Sequence, residues 1–149
     1  MAPRGGGSRW SAMENDLSRF VEAQQNVWQQ ALAELKAGDK RSHWMWFIFP
    51  QIAGLGQSPT ARFYAIAGRS EAGAYMAHAL LGPRLIAASE AVLDHKGERT
   101  ASAMLGEIDA MKLKSSMTLF EAVSDEPVFG AVLDAFYGGE RDSATLNRL

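Results

Sequence analysis

Between residues 16 and 36 the apolar positions recur at helical spacing. Leu17, Phe20, Val21, Val27, Trp28, Ala31, Leu32 and Leu35 share one face when each residue turns the chain by about 100°. The capping cluster "NDLS", Asn15 to Ser18, opens this stripe and Gly38 follows it, so a helix is predicted over 16–36. Pro83 opens a second helix, predicted over 83–95, with Leu85, Ala88, Ser89 and Val92 facing inward and Gly97 as its stop. Others are predicted over 109–123 and, from Pro127 to the pair Gly138-Gly139, over 127–137. Ser58 before Pro59 caps a short helix, and Ser70 offers a further cap. Strand-like alternation is nearly absent. The reading is an all-α fold of about five main helices with short helical turns between them.

The run "SHWMWFIFPQ", Ser42 to Gln51, breaks the pattern because it is apolar on every side. A short run of this kind suits a buried strand or a buried helical turn, and an all-helical neighbourhood favours the turn. It is either core or the aromatic wall of a pocket with His43 and Gln51 on its rim. Two other polar groups sit where apolar ones are expected. Gln24 points to the centre of the first helix's apolar arc, and a buried amide without partners costs about 1–3 kcal/mol. It therefore ties backbone segments together or lines a pocket. On the 109–123 helix, Ala110, Leu113, Met117 and Phe120 make the apolar stripe, with Asp109, Lys112 and Ser116 in a row at its edge. Lys114, Thr118 and Glu121 fall on another sector. Asp109 and Lys112 have the spacing of a helix-surface ion pair. A half-buried lysine with hydroxyl neighbours also suits a phosphate or carboxylate.

Composition narrows the alternatives. With 149 residues, one domain can bury roughly 70% of its unfolded surface. Residues 1–14, which contain "GGGS" and Trp10, read as a flexible leader, and 15–149 as the domain. There is no cysteine, which fits a cytoplasmic protein and excludes thiolate chemistry. A formal charge of −2 gives no field that would draw nucleic acid, and no apolar run approaches the ~18 residues of a membrane span. The histidines His43, His78 and His95 are too scattered for a metal site, and nothing asks for a cofactor. "GLGQS" lacks the Gly-Lys-Ser/Thr ending of a phosphate loop, and no Gly-x-Ser-x-Gly elbow is present.

Five segments taken together, "RFVEAQ", "ALAELKAGDKRSHWMWFIFPQIAGLGQSPTARFYAI", "EAGAYMAHALLGPRL", "GEIDAMKLKSSMTLF" and "FYGGERDSATL", resemble the bacterial DUF1810 family. That family is a mainly helical domain of unknown function, and the resemblance spans about residues 16–149. Trp28 stands where a tyrosine is more usual, and Ala79 where proline is expected. The label "calpastatin" carried by some members does not suit this chain. That inhibitor is flexible and weakly hydrophobic, whereas 47% of these residues are hydrophobic. A fainter similarity links the order aromatic-Ala-Gln, Asp-x-x-Lys and a closing Gly with Asp and Thr-Leu to the NADAR group, which is associated with ADP-ribose-like ligands.

That resemblance implies a small-molecule ligand, an ADP-ribose-like or other phosphorylated nucleotide, bound or hydrolysed by a glycosidase-type reaction. Trp44, Trp46 and Phe47 would stack a flat ring, and Gln24, His43 and Gln51 would read its polar edges. Lys112, Ser115 and Ser116 would hold phosphates. Glu22, Asp109 and Lys112 are the catalytic candidates, with Glu22 or Asp109 activating water. The competing expectations are a protein-interaction module whose aromatic run is a contact or homodimer surface, and a purely structural run. Oligomeric state is not readable from the sequence.

Overall fold

The computed structural model describes residues 16–149; the predicted leader over 1–14, with Trp10, lies outside them. The described residues form an all-α fold. In chain order its helices are α1 (Ser18–Gln24), α2 (Trp28–Ala37), α3 (Met45–Ile48), α4 (Pro59–Phe63) and α5 (Arg69–Ala77). They are followed by α6 (Leu81–Leu93), α7 (Ala101–Leu105), α8 (Glu107–Val123), α9 (Pro127–Phe136) and α10 (Ser143–Leu146). The extended contact among these residues is a single parallel bridge between Ile52 and Ile66.

The helix expected over 16–36 is two helices. Gln25, Asn26 and Val27 form a turn in which the Val27 amide donates to the Gln24 carbonyl at 3.1 Å, and Ala31 restarts the ladder on Val27. Apolar periodicity does not detect such a break, because both halves still face the core. Asn and Val, both weak helix formers, make the break inexpensive. α6 begins two residues before Pro83, which occupies a first-turn position where no amide is needed. Its start is set by His78, whose Nδ1 accepts from the amides of Leu80 and Leu81 at 3.1 and 3.2 Å. Gly82 is required there, since a Cβ would lie 2.2 Å from the Met76 carbonyl oxygen. Ser58 caps α4 by accepting from the Ala61 amide at 3.1 Å. Ser70, by contrast, lies inside α5, whose N-cap is Gly68.

α8 is the organising element. At 1.5 Å per residue its 17 residues span about 26 Å, and it packs against α5, α7, α9 and α10. α6 lies behind it, against α2, α5 and α9. An aromatic column joins the layers. Phe20 meets Tyr75 edge-on at 5.2 Å, Tyr75 meets Phe120 at 5.3 Å, and Phe120 meets Phe129 at 6.0 Å. Such pairs add about 0.5–1.5 kcal/mol beyond the area they bury.

Candidate functional site

The aromatic run is held from both ends by buried polar groups. From α2, the Glu34 carboxylate accepts from the amides of Arg41 (2.8 Å) and Ser42 (3.0 Å), the Trp44 indole (2.9 Å), Gln30 (3.0 Å) and the Ser42 hydroxyl. Burial alone would raise its pKa. The donors, led by the Ser42 hydroxyl, outweigh that effect and hold it at about 2. From α1, Gln24 Nε2 donates to the Phe47 carbonyl (2.7 Å) and the Tyr75 hydroxyl (3.2 Å), while its Oε1 accepts from Arg84 at 3.3 Å. Gln24 is thus a tie between α1, α3, α5 and α6. Gln24→Leu is expected to lower unfolding stability by about 1–3 kcal/mol by orphaning these partners. Urea denaturation checks it, and an unchanged midpoint would make the network energetically silent.

Held in this way, the run turns inward as α3. Trp44, Met45, Phe47, Ile48 and Phe49 are buried. Trp44 and Phe47 therefore have no face to offer a flat ligand, and the run is not an exposed contact surface. Trp46 alone among its aromatics is half-buried, and its ring is covered by the Lys112 ammonium at 5.1 Å. Lys40 stands over Trp44 in the same manner at 5.0 Å. The two lysines share Asp109, with Lys40 Nζ at 3.0 Å and Lys112 Nζ at 3.8 Å. Among the described residues this half-buried group carries two ammonium charges against one carboxylate.

Lys112 also lines a groove of about 420 Å³ between α8, the 51–56 loop and the start of α10. Leu55, Ile108 and Met111 form its apolar wall, with Ile108 and Met111 72% and 71% exposed. Its polar lining is Gln51, Lys112, Lys114, Ser115 and Asp142. Lys114 reaches the same groove although it lies on a separate sector of α8, as the sequence reading had it. The groove follows the stripe 108, 111, 115, and residues 112 and 114 flank that stripe from its two sides, so two long side chains about 200° apart on the wheel reach one depression. Lys114 also pairs with Glu140 at 2.9 Å.

Asp142 is positioned by Arg141. That side chain binds both oxygens of Glu121 on α8 (2.9 and 2.5 Å) and Asp134 on α9 (2.9 Å). The Asp142 amide then donates to Thr118 Oγ1 at 2.9 Å. Its Oδ2 accepts from Ser115 Oγ at 3.0 Å and the Thr145 amide at 3.1 Å, capping α10.

Of the predicted site residues, the structure brings Gln51, Lys112 and Ser115 together around the groove. Gln24, Trp44 and Phe47 are in the core, and Ser116 is buried with its hydroxyl unpartnered among the described residues. His43 is exposed in the loop before α3, and Glu22 is exposed on α1; neither lines the groove. Asp109 sits between two ammonium groups and is not presented as an open base. Sequence reasoning missed Glu34, Lys40, Arg84 and Asp142. A signal existed for Glu34, a carboxylate between the inward residues Ala31 and Leu35, and for Asp142, the residue before "SATL" in capping position. Lys40 and Arg84 carried none, because their partners lie far along the chain.

Two further depressions meet at Gly97 and Ala135, on the edges of α6 and α9. Among the described residues no cluster of three His, Asp or Glu side chains is placed to hold a metal, and no helix is long and apolar enough to cross a membrane.

No curated protein is significantly similar to this chain. A solved structure is: the crystal structure of the conserved hypothetical protein Rv1873 from Mycobacterium tuberculosis at 1.38 Å. It shares 47% identity and a TM-score of 0.88 over 91% of this chain and 96% of that one. The family described as "Protein of unknown function (DUF1810)" matches residues 14–149, so the chain belongs to the DUF1810 family.

Proposed function

We propose that this domain binds a small organic anion in the groove along α8, with Lys112 as the principal charge. The observation that carries this reading is the half-buried Lys40-Asp109-Lys112 group, whose excess positive charge lies at the edge of a concave, largely apolar depression. Partly desolvated ammonium groups attract an anion more strongly than surface ones do. The volume falls within the range of small-molecule sites. A phosphorylated nucleotide of the ADP-ribose type is the narrower form of the proposal, with its phosphate at Lys112 and its apolar faces against Leu55 and Met111, the Ser115 hydroxyl hydrogen being engaged by Asp142. Stacking by Trp44 and Phe47 has no part in it, because both are buried. Binding rather than hydrolysis is proposed, since Glu22 lies off the groove and Asp109 is engaged by two lysines.

The test is a thermal-shift and calorimetric series with inorganic phosphate, AMP and ADP-ribose. A ligand at 100 times its Kd adds about 2.7 kcal/mol of stability. Lys112→Met keeps the apolar stem over Trp46 and leaves Lys40 paired with Asp109, so it is expected to fold while losing at least tenfold in affinity. Lys114→Met is expected to lose less, because Glu140 already draws on that charge, and the exposed Lys36→Met to lose nothing. Equal losses at Lys112 and Lys36, or no phosphate-bearing ligand bound by wild type, would refute the reading.

A further inference from the structure

Anion binding gives the groove's carboxylate, Asp142, no task. Asp142 carries negative charge beside a site read as anionophilic, which opposes a bare phosphate. Its Oδ2 is saturated by Ser115 Oγ and by the amide and hydroxyl of Thr145. Thr118 fixes its backbone amide and in turn donates to the Lys114 carbonyl at 2.8 Å, so the carboxylate is braced against α8. Among the described residues Oδ1 takes no hydrogen bond, and both groove lysines are paired elsewhere, Lys112 with Asp109 and Lys114 with Glu140. A carboxylate has about four lone-pair sites, so Asp142 retains acceptor capacity at Oδ1. It is also preorganised, because three hydrogen bonds to Oδ2 already hold the side chain in place.

We infer that Asp142 is the specificity-determining acceptor of this groove, and that the ligand class is a polyol phosphate, an anion with hydroxyl donors a few bonds from its phosphate. The inference rests on the anion-site reading above and deepens it. Lys112 would take the phosphate and Asp142 Oδ1 a hydroxyl hydrogen. A phosphate ester without hydroxyls would face the same carboxylate with nothing to donate, a mismatch that discriminates well because a charged acceptor is left unpaired.

Glycerol 3-phosphate and n-propyl phosphate test this directly, being alike in length and differing by two hydroxyls. Calorimetry on the wild-type chain is expected to give about tenfold tighter binding of glycerol 3-phosphate, the factor one charge-assisted hydrogen bond supplies. Asp142→Asn keeps an N-cap oxygen for Thr145 and so the start of α10. It is expected to bring the two affinities within about twofold by removing the charge that penalises propyl phosphate. Equal affinities in wild type, a measurement that needs no variant, overturn the inference while leaving the anion site standing. A tenfold preference that survives in folded Asp142→Asn also overturns it, since another group would then read the hydroxyls. If neither ester binds while AMP or ADP-ribose does, the inference falls and the anion site stands; if none of these phosphates binds, both readings fall.

Discussion

Trp44→Ala is expected to lower the unfolding free energy by about 3–5 kcal/mol, the usual cost of truncating a buried tryptophan. Its ring is fully buried, packs against Phe49 at 6.4 Å, and lies beneath the Lys40 ammonium. The substitution opens a cavity and also removes the indole donor from Glu34. Guanidinium denaturation should show a lower midpoint at unchanged slope, the mark of a stability change without a change in surface exposed. A midpoint close to wild type would mean that the aromatic run is not core. Trp44→Phe, which keeps most of the apolar volume but not the indole donor, should fall between the two.

The second large effect is acid sensitivity at Glu34. In the folded chain its carboxyl is held at about 2, against an ordinary 4.5. A depressed folded pKa contributes stability that is fully present above about pH 4.5 and is lost as pH falls toward 2. At 1.36 kcal/mol per unit the contribution reaches about 3 kcal/mol at neutral pH. Glu34→Gln is therefore expected to be less stable than wild type by up to about 3 kcal/mol at pH 7, with the gap closing between pH 4.5 and 2. Urea titrations of both proteins at pH 7, 4 and 3 measure it. A gap of constant size would assign the loss to altered hydrogen-bond geometry instead of to the charge.

Both predictions rest on one local design, a loop wrapped around a carboxylate. Glu34 organises residues 41–44, these deliver Trp44 to the core, and α3 then carries Trp46 and Phe47 towards α8 and α1. The same loop brings Lys40 to Asp109, with the Lys40 amide bonded to the Met104 carbonyl at 2.8 Å. A change at Glu34 should consequently disturb the groove's charge as well as the fold. Glu34→Gln is thus a poor probe of ligand binding, and Lys112→Met a better one.

Periodicity, caps and breakers lie close together in the chain, and what depends on them was legible in the sequence. The all-α class, the extents of α8 and α9 to within two residues, Ser89 facing inward, the Ser58 cap and the helical turn in the aromatic run all follow from side-chain spacing and local hydrogen bonding. Gln24 stood out as polar on an apolar arc, and the sequence restricted it to a tie or a pocket residue. The choice between these needed Phe47, Tyr75 and Arg84, which lie 23, 51 and 60 positions away. The groove is nonlocal in the same way, since Gln51, Lys112 and Asp142 meet only after the 51–56 loop and α10 dock on α8. A helical wheel separated Lys112 from Lys114 correctly in angle, yet both reach the groove, because a lysine stem is long and the neighbouring elements close over the stripe between them. The sequence by itself determined the helices and their apolar faces, through interactions spanning a few residues. The tertiary structure alone decided which polar groups are satisfied and which remain open to a ligand, because that depends on partners the chain brings together only by folding.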